Sequence, residues 1–223
     1  MSNSTYILVL IALLVIWSLF GKRILGFLLT RGAAQGVLKN IGAKALDSQP
    51  EWITLQQLTT PQWRNAVAIA EWTKPLLAGG FQDAGVFAVD KMPGVKVNIL
   101  VKPADFIMAN VYEHPRAGTW IELVTNYENG SVTTLTTMKP TGLERPAWIT
   151  TIFAQDAAPI ELVRRLIRER RPGAMIAISA QRAPKQFEEG YAKYMVWRKN
   201  SGLSVEEAGA VVKKWAAGQG VGQ

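Results

Sequence analysis

VKVNILVK-PAD-FIMANVYEH-PRAG-TWIELVTNYE-NG-SVTTLTTM, residues 95–138, decides the fold. Val95, Val97, Ile99 and Val101 alternate with Lys96, Asn98, Leu100 and Lys102, the period-two pattern of a strand buried on one face. Met92-Pro93-Gly94 marks the turn before it. Phe106 to His114 reads as a second strand, and Pro115-Arg116-Ala117-Gly118 as a tight reversal. Thr119 to Glu128 and Ser131 to Met138 flank Asn129-Gly130, the strongest short-range hairpin signal. Trp148 to Ala154 adds one more strand. Consecutive strands with short turns predict an antiparallel meander of five to six strands.

Counting outward from the 115–118 turn pairs Val111 with Glu122 and Tyr112 with Ile121. Counting from Asn129-Gly130 pairs Val124 with Leu135. On that register one face carries Met108, Tyr112, Ile121, Leu123, Tyr127 and Val132 and is expected beneath the helices. The other mixes Ile107, Val111, Trp120, Val124 and Leu135 with Glu113, Glu122 and Asn126. A mixed face with a central aromatic resembles an interface, so Trp120, Val124 and Leu135 are expected to contact a partner.

Helices flank the sheet. Thr60-Pro61 pairs an N-cap with proline at the first helical position, and the helix is expected to end near Thr73, ahead of Pro75. Pro159 opens a helix to Arg171, stopped by Pro172-Gly173. Pro184 opens another that ends near Gly202. Residues 174–180 fit either an edge strand or a buried turn. Ser204-Val205-Glu206-Glu207 is a capping box heading a short helix. The fold class read from these patterns is α+β, an antiparallel meander covered by helices, preceded by a single transmembrane helix.

That transmembrane helix rests on Thr5 to Phe20, which carry no charge. The apolar run resumes at Ile24-Leu25-Gly26-Phe27-Leu28-Leu29 after Gly21-Lys22-Arg23. A helix from Thr5 to Leu29 reaches roughly 37 Å, enough to cross a hydrocarbon core of about 30 Å. A cleaved signal peptide wants its charge before the apolar run, whereas here the cations follow. Lys22, Arg23, Arg31, Lys39 and Lys44 all lie beyond the apolar run, so the following domain is expected in the cytoplasm and the N-terminus outside, across an inner membrane. The expected division is anchor 1–30, basic juxtamembrane linker or interfacial helix 31–50, α+β domain 51–203, C-terminal helix 204–217 and disordered tail 218–223.

Charge and composition narrow the function. Of the net +8, five charges fall in residues 1–46, which contain no acid, leaving +3 for the rest. The excess sits where anionic lipid would attract it, not across the domain as in a nucleic-acid binder. The chain has no cysteine and one histidine. Thiolate nucleophiles, disulfides and Cys-ligated metals are excluded, and a His-based metal site or relay has little material. His114 lacks an evident orienting partner and reads as structural. Glu113 and Glu122 on one hairpin face loosely suggest paired carboxylates but read as a solvated rim. Gly218, Gly220 and Gly222 follow no strand and open no helix, so they make no phosphate loop. No catalytic residue, cofactor or metal is assigned. Arg164, Arg168 and Arg171 recur at i, i+4, i+7. They read as a solvated helix face or as a contact for headgroup phosphates or an acidic partner.

Tyr112-Glu113-His114-Pro115, Gly118-x-Trp120-x-Glu122 and Tyr127-Glu128-Asn129-Gly130, with the later Tyr191-Ala192 and Met195-x-Trp197-Arg198, resemble an uncharacterised bacterial protein family over roughly residues 84–200. The resemblance implies no activity. The function expected is a non-enzymatic accessory or scaffolding subunit, docked on the cytoplasmic side of a larger membrane protein complex such as a photosynthetic or respiratory one. The alternative is a membrane-tethered module that binds a lipid or other apolar ligand.

Overall fold

The computed structural model describes residues 46–47, 49–204, 206–207 and 209. The expected anchor, with Lys22, Arg23, Arg31, Lys39 and Lys44, lies outside them, as does most of the C-terminal helix. Among the described residues no helix is long and apolar enough to cross a membrane. The chain divides into two units, Gln49–Ser201 and a second made of Met1–Ser48 with Gly202–Gln223. In the second, the capping box forms as expected: Glu207 N donates to Ser204 Oγ at 3.1 Å and Ser204 N to Glu207 Oε2 at 2.8 Å.

The first unit is an α+β domain built on one mixed sheet. Its strands are β1 (Leu55–Gln57), β2 (Gln82–Val89), β3 (Lys96–Lys102), β4 (Ile107–His114), β5 (Gly118–Asn126), β6 (Val132–Thr136) and β7 (Ile149–Phe153), neighbours in chain order. Every pair is antiparallel except β6 and β7, which run parallel. The expected meander is thus corrected at its last step. Residues 137–148, with Pro140 and Pro146, are too long for a tight hairpin and long enough for the crossover that parallel pairing needs, about a dozen residues. Leu55-Gln56-Gln57, too short to show a period, escaped the sequence reading.

Helices cover both faces. α1 (Ala66–Ala78) and α2 (Pro159–Glu169) lie on one, α3 (Ala183–Ser201) on the other. This is why β3 is buried on both sides: Leu100 packs towards α1 and α2, while Val97, Ile99 and Val101 pack on the α3 side. Asn98, also buried, donates to Asp83 Oδ1 at 3.1 Å and to the Gly85 carbonyl at 3.2 Å, which fixes the β2 bulge. Full burial of a Leu or Ile contributes about 1.5–3 kcal/mol. The α1/α2 face gathers Ile107, Ala109, Val111, Ile121, Leu123 and Leu135, with Leu162 and Leu166 of α2 against them. It is the main core.

α1 starts later and ends later than expected. Asn65 caps it by accepting from Ala68 N at 3.0 Å, and Pro75 lies inside it. The proline removes one donor, but Leu76, fully buried, anchors the last turn to the core. Residues 174–180 form a connection with a single bridge, Tyr127 to Met175.

The register differs by one residue at both hairpins. His114 pairs with Gly118 and Val111 with Ile121, and Leu123, not Val124, pairs with Leu135. The first loop is residues 115–117, followed by Gly118 at φ 76° as the first residue of β5; the second, closed by Tyr127 N donating to Ser131 O at 3.0 Å, is residues 128–130 with Gly130 at φ 80°. A shift of one residue moves a strand's whole side-chain set to the other face. Ile107, Val111 and Leu135 therefore join the core, and Glu113 leaves the face of Glu122.

Candidate functional site

On the α3 side the sheet changes character along its width. Under the first half of α3, strands β2 and β3 present Phe87, Val97, Ile99 and Val101 to Phe187 and Ala183. From β4 to β7 the same face turns polar. Cross-strand pairing aligns Asn110, Glu122 and Thr136 in one row and Met108, Val124 and Thr134 in the next. A sheet face roofed by a helix is ordinarily apolar, because buried polar groups cost free energy unless bonded. Here the polar strip floors a cavity of about 340 Å³ whose far wall is α3.

Aromatic rings supply much of its wall: Tyr112 from β4, Trp148 from the 137–148 crossover, and Phe187, Tyr191 and Tyr194 from α3. Tyr112 is stacked on Trp120 with ring centroids 4.6 Å apart and planes 13° apart. Its hydroxyl donates to Glu122 Oε2 at 3.2 Å. Burial pushes the Glu122 carboxyl up from its ordinary range, against the opposing pull of Arg145, Tyr112 and Thr136. Burial, then the Glu122 charge and its hydrogen bond, push the Tyr112 hydroxyl well up. Glu122, half-buried, is among the residues lining the cavity. Arg145 reaches the mouth from the crossover, with its guanidinium 5.6 Å from the Phe153 ring.

Two amide oxygens complete the site. Asn110 is 2% exposed, and its Oδ1 has no hydrogen-bond partner among the described residues. Gln186 is itself only half-buried, but its Oε1, on the α3 side of the cavity, is buried and has no hydrogen-bond partner among the described residues. Native interiors leave few such groups, each costing about 1–3 kcal/mol.

A second cavity of about 210 Å³ shares Asn126, Val132, Trp148, Gln186 and Gly190 with the first. Gly190, in the middle of α3, borders both, and a Cβ built there meets nothing within 4 Å. Gly190 is itself exposed, and glycine inside a helix costs about 1 kcal/mol relative to alanine. Lys193 closes the far end. Its ammonium donates to the Gly130 carbonyl at 2.8 Å and lies 4.1 Å from the Trp148 ring centroid.

The residues singled out from sequence are dispersed. Trp120 stacks on Tyr112 with its Nε1 buried and unpaired among the described residues, and Val124 lines the cavity. Leu135 is fully buried on the opposite face. Those three therefore do not share a surface. Arg164 and Arg168 project from α2 with side chains 71% and 62% exposed. Arg171, past the end of α2, is exposed, and its carbonyl accepts from Tyr127 Oη at 2.7 Å. Arg170 instead turns inward, donating to the Asp105 carbonyl at 2.6 Å.

His114 belongs to its turn. Nδ1 accepts from the backbone N–H of Arg116 at 3.1 Å and of Ala117 at 3.0 Å. Burial, with the neighbouring Arg116 charge, lowers its pKa. Glu113 lies on the α1/α2 face, where its Oε2 accepts from Arg64 N and Asn65 N and its Oε1 pairs with Lys96 at 3.1 Å. Glu113 and Glu122 thus form no carboxylate pair. Among the described residues no cluster of His, Asp and Glu gathers to hold a metal.

The sequence reading missed Tyr112, Asn110 and Gln186 as site residues. The available signal lay within single strands, Asn110 in β4, Glu122 and Asn126 in β5 and Thr134 and Thr136 in β6; their alignment on one face follows only from the observed register. Compared with protein-family models, curated proteins and solved structures, the chain finds no match in any of the three.

Proposed function

We propose that this protein is a membrane-tethered module that binds a small, largely apolar molecule in the cavity beneath α3 and holds it without turnover. The observation that supports this reading is the polar strip at the floor of an aromatic-walled cavity, with the Asn110 and Gln186 carbonyls left unpaired. Small-molecule sites combine mostly apolar walls with a few placed polar groups in about 300–1,000 Å³, and this cavity sits at the small end of that range. Anchorage by residues 1–30, with the domain on the cytoplasmic side, is part of the same proposal.

Thermal melting tests it. Full-length protein in mild detergent should melt at a higher temperature in the presence of one fraction of a host-cell small-molecule extract, since a ligand that binds only the folded state stabilises it by mass action. A melting temperature indifferent to every fraction speaks against the module.

A second reading, an accessory subunit docked on a larger membrane complex, draws support from Arg164 and Arg168. Their ion pairs with Glu161 and Glu169 are both 3.5 Å long and solvent-exposed, and such pairs hold their charges weakly. The guanidinium groups are thus available to an acidic partner or to anionic lipid.

A further inference from the structure

We infer that the ligand of this cavity is a neutral, flat ring compound that donates hydrogen bonds from N–H or O–H groups to the Asn110 and Gln186 side-chain oxygens. The inference rests on the binding reading above and adds the chemical class.

Three features carry it. The first is the pair of buried oxygen atoms without a partner among the described residues, one on the sheet and one on α3, both on the cavity wall. A hydrocarbon chain would leave them unpaired, whereas a molecule with donors satisfies both at once. The second is charge. Glu122 opposes an anion and Arg145 at the mouth opposes a cation, so opposite charges on one wall favour a molecule with none. The third is shape. Tyr112, Trp148, Phe187, Tyr191 and Tyr194 offer ring faces and edges, which favour a planar occupant over a flexible chain. Gly190, without a side chain, keeps the α3 side open to the neighbouring cavity.

The test is calorimetric titration of the full-length protein in mild detergent with four probes. Benzimidazolone presents N–H donors, dihydroxynaphthalene presents O–H donors, and N,N′-dimethylbenzimidazolone and naphthalene keep the ring shape without donors. At least one donor-bearing probe should bind about tenfold or more tightly than the donor-less pair. Which of the two does so distinguishes an N–H from an O–H ligand. Asn110→Leu, which keeps side-chain size, and Gln186→Leu, one heavy atom shorter, should each shrink that preference, with naphthalene bound as tightly as before or more tightly because the acceptor it left unpaired is gone. Equal or tighter binding of the donor-less probes overturns the ligand class while leaving an apolar-ligand module standing. If no probe and no extract fraction binds, the cavity is not a ligand site and both readings fall. Gln186 lies on the cavity-facing surface of a long helix, so its variant provides the comparison if Asn110→Leu fails to fold.

Discussion

Glu113 and Glu122 lie on opposite faces of the β4–β5 hairpin, and the same change from carboxyl to carboxamide should move stability in opposite directions at the two. At Glu113, two backbone N–H groups at the head of α1 and the Lys96 ammonium converge on a side chain that is only 3% exposed. Hydrogen bonds to a charged group contribute about 1.5–3 kcal/mol each. Gln cannot reproduce all three, although Lys96, 19% exposed, regains some hydration. The expected loss for Glu113→Gln is about 2–4 kcal/mol, a large share of the roughly 5–15 kcal/mol of a typical domain. At Glu122, burial disfavours the charged form, and a neutral amide can still accept from the Tyr112 hydroxyl. Glu122→Gln should therefore raise stability by about 0.5–1 kcal/mol, the usual gain from relieving a functional-site cost.

The pH dependences should also be opposed. Burial alone would raise the Glu113 pKa, but the Asn65 N–H, Lys96 and the Arg64 N–H outweigh it and hold the group low. Its contribution is then complete above the ordinary carboxylate range and lost as pH falls through the folded pKa. For Glu122 the folded pKa is raised, so its contribution is present at low pH and lost as pH rises through that value. Urea unfolding followed by tryptophan fluorescence, from about pH 2 to pH 8 so that the scan extends well to either side of the unfolded carboxylate pKa of about 4.3, measures both. If Glu122→Gln destabilises as strongly as Glu113→Gln, Glu122 is a structural anchor and the polar strip is not a site.

His114→Ala should cost about 1 kcal/mol through the loss of its two turn bonds while leaving ligand binding unchanged. The variant should also lack the part of the acid sensitivity that the wild type owes to His114, whose lowered pKa means its contribution fades as pH falls through the folded value. A reporter fused after Gln223 should be active as a cytoplasmic fusion and silent as a periplasmic one; the reverse pattern rejects the proposed topology. Arg164→Ala with Arg168→Ala should reduce recovery of any membrane-complex partner in a detergent pull-down without changing the melting temperature. Unchanged recovery of such a partner removes α2 as the docking face.

Most of the architecture was legible in residues 95–138. Alternation located the strands, Pro159 and Pro184 located two helices, and Ser204 and Glu207 announced their cap. What failed was register, because a three-residue loop and its neighbouring lengths share the same glycine and polar residues. Those two slips put Leu135 on the same face as Trp120 and Glu113 on the same face as Glu122. The parallel β7 was missed because Trp148 to Ala154 has the same alternation whichever way it pairs. Only the length of the 137–148 connection hints at the crossover. Asn110, Glu122 and Thr134 were visible as polar residues within their strands, but the register read from the turns set Glu122 on the opposite face from the other two. That α3 would roof them, and so turn a mixed surface into a cavity, depends on contacts between distant parts of the chain that periodicity does not encode.

Native mass spectrometry of the full-length protein released from detergent, wild type beside Gly190→Leu, tests most directly whether the cavity is a binding site. A leucine at 190 enters open space and replaces a helix-weakening glycine, so the variant should fold at least as stably, by about 0.5–1 kcal/mol. The wild type should carry a small molecule that is released on denaturation, and Gly190→Leu should carry none. A wild type that stays empty after exposure to host-cell extract, or a variant loaded to the same extent, would contradict the assignment of this cavity.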